Sequence, residues 1–243
     1  MVSLGDQYVR KARVYPGLLT TAPLATLVAF TAEAPPFAAV ASGVGFVGVF
    51  YLIAELTRSM GKKYEARAVA QWGGFPTTRA LRHASDGPKA LRDRRRQQIE
   101  TLLGTPLPTA RQERAEPQSA DAEYLLGVKA VIAKARRDGW YRPLLESENT
   151  SYGFRRNMRA LRPLAFIILA VGSAAAVGLG FTTASWLAAA FVWGISFIAG
   201  LLWAFKVNDA WVEEQALVFS NELFSTLQTM SAPAGSENSR QNG

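Results

Sequence analysis

The segment Trp72-Gly73-Gly74-Phe75-Pro76-Thr77-Thr78-Arg79, followed by Arg82 and His83, holds the residue types of a phosphate site. A glycine turn opening onto a helix N-terminus directs free amides outward, and Arg79 and Arg82 would complement an anion there. It lacks the Gly-Lys-Ser/Thr of a P-loop, and a helix stop and restart is its commoner use. A second cluster is Arg92, Arg94, Arg95 and Arg96, of which 92, 95 and 96 share a helix face. In a segment tethered to a bilayer its nearest partner is anionic lipid, each basic residue near the surface being worth about 1 kcal/mol. The same charge attracts nucleic acid, but no RNA- or DNA-binding motif accompanies it. The third is residues 146–157, where Tyr152 and Phe154 have faces on which a base could stack and Arg155 or Arg156 a charge for its phosphate. Aromatic and arginine residues are also ordinary at a membrane interface, so an anchoring role competes with this ligand-responsive collar.

Catalysis has little support. His83 is the only histidine and there is no cysteine, which leaves no multi-histidine metal site and no thiol nucleophile within one chain. Asp209 and Glu213 lie one helical turn apart and could share a cation, yet exposed acidic residues are the usual reason for such a pair. The expectation is a non-enzyme without metal or cofactor.

The elements that must position these groups are set by charge. Residues 14–54 contain one charged residue, Glu33, and residues 163–205 contain none. At 1.5 Å per residue, either stretch as one straight helix would be roughly twice the bilayer's hydrocarbon thickness of about 30 Å, so each must fold back. Pro35-Pro36 breaks the first, and Gly178-Leu179-Gly180 with Thr182-Thr183 breaks the second. The predicted fold is an all-α integral membrane protein with four spans at 17–30, 37–56, 164–178 and 185–205, arranged as two hairpins with a mainly helical cytoplasmic domain between them. Helices are required because lipid leaves no partner for backbone groups.

Neither short turn carries Lys or Arg, whereas residues 57–162 carry 22 basic and 11 acidic residues. The positive-inside rule then makes both termini and residues 57–162 cytoplasmic, in a membrane of the bacterial inner type. The absence of cysteine fits that compartment. The first 30 residues also place a basic region before an apolar one, as a cleaved leader does, but a second span follows at once.

The chain thus divides into a first hairpin (1–56), a basic cytoplasmic domain (57–162), a second hairpin (163–205), an amphipathic helix (206–230) and a disordered tail (231–243). In the basic domain, helices are expected to about Gln71, from Thr77 or Thr78 to about His83, from Gly87-Pro88 to about Leu103, from a Ser119 cap to Gly139, and from Asn149 or Thr150 into the third span. Residues 104–118 read as a loop. The fourth span is expected to continue into the amphipathic helix, whose stripe of Val212, Ala216, Phe219, Leu223, Leu227 and Met230 could dock inside the chain or on another copy. Its acidic face, with Asp209 and Glu213, is expected to dock on the basic domain.

Within the third span, Ala170, Ala174 and Gly178 form one small-residue stripe and Gly172 and Ala176 belong to a second, a spacing that lets helices approach closely within or between copies. Ionisable groups are nearly absent from the spans, which disfavours a coupled transporter. The expected function is a multi-pass protein whose cytoplasmic domain senses a ligand or protein and acts through the membrane helices, as an oligomeric pore-forming or membrane-disrupting effector. A non-catalytic scaffold holding partners at the membrane is the alternative. Expected partners are membrane lipids, further copies of the chain, and a protein or nucleotide at the cytoplasmic domain.

Overall fold

The computed structural model describes residues 7–22, 36–85, 87–183 and 186–231, and all regular structure among them is helical. Helix α1 covers 7–22 and includes a π-helical turn at Arg10–Val14; α2 is Pro36–Gln71, α3 Pro76–Arg79, α4 Lys89–Leu103, α5 Ala110–Ala115 and α6 Pro117–Arg137. A π-helical turn at Tyr141–Leu145 leads into α7, Glu146–Thr183; α8 is Trp186–Leu201, ending in a third π turn at Leu202–Lys206, and α9 is Asp209–Ser231. Most of the first predicted span, the turn after it and the tail from residue 232 lie outside the described residues.

Two helical segments, Glu146–Thr182 and Ala189–Lys206, are long and apolar enough to cross a membrane. They carry large apolar side chains in the open: Phe181, Phe197, Ile198 and Phe205 are all more than 65% exposed. Of the two small-residue stripes, one is packed. Gly172 is buried and Ala176 packs with Ala189 and Val192, whereas Ala170, Ala174 and Gly178 are exposed and a side chain at Gly178 would meet nothing within 4 Å. Beside them the Trp193 indole donates to the Ser173 carbonyl at 3.1 Å.

The chain forms two compact units. One comprises Met1–Ala68 and Thr150–Glu213, the other Val69–Asn149 and Glu214–Gly243, so the boundaries fall inside α2, α7 and α9. In the first unit, Met158, Leu161, Ala165 and Leu169 of α7 bury Trp203 and Val207. The core of the second is built from Leu81, Ile99, Leu107, Tyr124, Val128, Val131 and Leu145 together with Phe219, Leu223, Phe224 and Leu227 of α9. The apolar stripe of α9 is therefore consumed inside the chain there.

Four local expectations are corrected. Residues 104–118 are not a loop throughout: Thr109 opens α5 with a capping box, its backbone N–H donating to Gln112 Oε1 at 2.8 Å and its hydroxyl accepting from the Gln112 N–H at 3.3 Å. Helix α6 starts at Pro117, which needs no N–H partner in a first turn, so Ser119 is inside the helix rather than its cap. The helix entering the third span begins at Glu146 and runs through Gly153 and Pro163. Gly153 is there because a Cβ would lie 3.1 Å from both Ala12 Cβ and the Tyr8 hydroxyl. Finally, α8 does not continue into α9: Asn208 Oδ1 accepts from the Trp211 N–H at 2.9 Å and starts a new helix.

Candidate functional site

The glycine turn and the arginine cluster, distinct in sequence, meet in the second unit. Gly73 and Gly74 take φ of 68° and 120°, backbone conformations that glycine adopts without strain, and the chain reverses into α3. Arg82 folds back across the turn, donating to the Gly73 carbonyl at 2.5 Å and gripping Asp121 of α6 with both Nε, at 2.8 Å, and Nη2. This pairing holds the Arg82 charge firmly on, its hydrogen bond to Asp121 raising the pKa against the opposing effect of burial. Its first duty is therefore to tie the turn to α6.

Four of the arginines line one pocket of about 310 Å³: Arg79, Arg82, Arg92 and Arg95, with Ser85 and Leu217 among the other walls. The volume is at the small end of the range for small-molecule sites. Arg92 donates to the His83 carbonyl at 2.9 Å. Arg95 stacks on Phe224 at 4.4 Å, and its buried Nε has no hydrogen-bond partner. Burial alone pushes its pKa down, the mark of a guanidinium without a compensating carboxylate.

Arg94 and Arg96 are not part of this pocket. Arg94 is exposed. Arg96 is 6% exposed, which removes it from any lipid-facing cluster; it donates to the carbonyls of Leu81 and Pro108, at 2.7 and 2.5 Å, and to the Tyr124 hydroxyl at 3.0 Å. Tyr124 in turn donates to Glu113 at 2.6 Å, Glu113 accepts from the His83 N–H at 2.9 Å, and His83 Nε2 donates to the Pro108 carbonyl at 3.1 Å. The only histidine is thus a structural strut. Sequence reasoning passed over Tyr124 and Glu113, because their partners come from other elements.

Burial of Glu113 favours its neutral form, but the bonds from Tyr124, His83 and Ala84 outweigh it and hold the carboxyl below its ordinary value of 4.5. Tyr124 is pushed up to about 12 by burial first and then by Glu113. A carboxyl depressed in the folded state stabilises above its unfolded pKa and loses that contribution as pH falls through the folded one. Glu113→Gln is therefore expected to be less stable than the wild type at neutral pH, with the gap closing as pH falls below 4.5 in thermal melts. A gap independent of pH would contradict this linkage.

The collar residues are internal ties of the first unit. Tyr152, 5% exposed, donates to Glu65 at 2.8 Å, and the same carboxylate receives Arg156 at 3.1 Å. A base cannot stack on a phenol so enclosed, which removes Tyr152 as a ligand-facing residue. Arg155 lies over the Trp211 ring at 5.1 Å and donates to its carbonyl at 2.9 Å. Asp209 accepts from Tyr64 at 2.8 Å and from Arg159 at 2.9 Å, bonds that lower its pKa against the effect of burial. Its carboxylate is thereby committed to the basic segment rather than to a cation with Glu213. Among the described residues no group of three or more His, Asp or Glu side chains is placed to hold a metal ion.

No protein-family model matches the chain, and neither does any curated protein or solved structure.

Proposed function

We propose that this is a four-span membrane protein of the bacterial inner-membrane type, with both termini and residues 57–162 cytoplasmic, that senses a ligand or protein and responds through its membrane helices. The response proposed is that of an effector: copies associate and form a pore or disturb the bilayer. The observation that carries this reading is α7. Its first residues belong to the second unit, where Glu148 accepts from Gln215 at 2.7 Å; the rest belongs to the first and includes an apolar run with Phe166, Ile167 and Val171 exposed. A contiguous apolar surface of that kind is covered by lipid or by another protein. One unbroken helix offers a direct path from a cytoplasmic binding event to the bilayer.

Topology is testable without background because the chain lacks cysteine. Single cysteines at Glu33 and Thr182 are expected to react with a membrane-impermeant maleimide from the outside, and one at Arg94 only after permeabilisation. Arg94 labelling from outside would overturn the orientation. For the response, induced expression is expected to depolarise cells and purified protein to conduct in liposomes. If neither occurs, the scaffold reading replaces the effector.

A further inference from the structure

Arginine side chains of a folded protein normally find carboxylates or carbonyls, and most do so here. Arg82 has Asp121 and Gly73, and Arg96 has Leu81, Pro108 and Tyr124. Arg95 differs: it lies over an aromatic ring, and its Nε, like that of Arg92, is closed off from water with no hydrogen-bond acceptor. A desolvated donor left unmatched costs stability, which is a reason to look for the acceptor it was built to meet.

The pocket supplies the context for one. Arg79, Arg82, Arg92 and Arg95 line it, no carboxylate is among its described walls, and Ser85 adds a hydroxyl. The nearest described acid to Arg92 is Asp93, whose carboxylate is half exposed and 3.6 Å away. Leu91 and Leu217 complete the walls with apolar surface. Planar guanidinium donors converging on a small concavity match an oxyanion with several acceptor oxygens, and phosphate meets that description with charge enough to offset more than one arginine.

We propose that this pocket binds a ligand bearing phosphate groups, with Arg92 and Arg95 as its principal donors and Arg79 and Arg82 completing the positive wall. The phosphates belong to a soluble diphosphate-type ligand or to a phosphorylated lipid headgroup, which present the same oxygens. The proposal rests on the ligand-sensing reading above and gives it a ligand class.

The probes are pyrophosphate and a short-chain phosphatidylinositol phosphate, each titrated against the full chain in neutral detergent and followed by thermal shift and calorimetry. Pyrophosphate is expected to raise Tm and to bind saturably. Arg95→Gln and Arg92→Gln are each expected to weaken it by about tenfold, the size of one lost charge-assisted contact, whereas Arg94→Gln stays within about twofold. Melting without ligand shows whether each variant is folded; should Arg95→Gln fail to fold, Arg92→Gln and Arg79→Gln decide. Displacement of pyrophosphate by the lipid identifies a headgroup source, and lack of displacement a soluble one; both support a phosphate pocket. The proposal is overturned if neither probe binds the folded wild type, or if Arg94→Gln weakens binding as much as Arg95→Gln, which would indicate diffuse attraction. Phosphate binding without conductance would remove the effector and keep the pocket, whereas conductance without phosphate binding would do the reverse.

Discussion

Arg96→Ala is expected to destabilise the protein by about 3–5 kcal/mol, the range for leaving buried charged-group partners unmatched. The side chain is 6% exposed and serves three acceptors: the Leu81 carbonyl at the end of the α3 turn, the Pro108 carbonyl before α5, and the Tyr124 hydroxyl of α6. Truncation leaves the Leu81 carbonyl enclosed without that donor, leaves the Pro108 carbonyl to His83 Nε2, and removes the cation that faces the Tyr124 ring at 5.3 Å. Arg96→Lys keeps the charge but not the fork, and is expected to lose about 1.5–3 kcal/mol. Arg94→Ala, two residues earlier and exposed, should fall within about 0.5 kcal/mol of the wild type. Denaturant unfolding in detergent, followed by circular dichroism, separates the three. Equal losses at 94 and 96 would mean that Arg96 is not the centre of this core.

The second large effect is expected at Gly61. A Cβ there would lie 1.8 Å from Asn157 Oδ1 and 3.0 Å from its Cγ, so no alanine fits until the amide moves. Asn157 is fully buried, and its Nδ2 donates to the Ala12 carbonyl at 2.6 Å, tying α7 to α1. Gly61→Ala is therefore expected to cost about 1–3 kcal/mol in overpacking and about as much again for the stranded Ala12 carbonyl. Asn157→Ala alone loses the bond without the clash. The double variant should be markedly more stable than the sum of the two single losses implies, because the clash disappears with the amide. Strict additivity in the cycle would show that Gly61 is not required by Asn157.

These two sites show where sequence reading reached and where it stopped. The apolar helices α7 and α8 were legible because a charge-free run is a property of neighbouring residues, and so were the ends of α2 at Gln71 and α4 at Leu103, marked by glycines. Thr109-Ala110-Arg111-Gln112 carried a legible capping signal that the surrounding prolines obscured. Arginine roles were not legible. Residues 92, 95 and 96 share a face on a helical wheel, yet Arg96 is internal because loop carbonyls at 81 and 108 come to it. Tyr152 and Arg156 read as an exposed collar for the same reason: their acceptor, Glu65, is 87 and 91 residues away in the chain. Pairings of that range depend on the fold and leave no local pattern.

The Asn208 cap also has a mechanical consequence. A 38-residue helix such as α7 spans about 57 Å, and apart from the rung that Pro163 cannot make, bending it means breaking successive rungs of its hydrogen-bond ladder. Between α8 and α9 the ladder is interrupted at Val207 and Asn208, yet Val207 is buried against α7 and Asp209 is held by Tyr64 and Arg159. The break therefore acts as a locked corner: it turns the chain, and the bonds on either side of it keep the first turn of α9 fixed to α2 and α7.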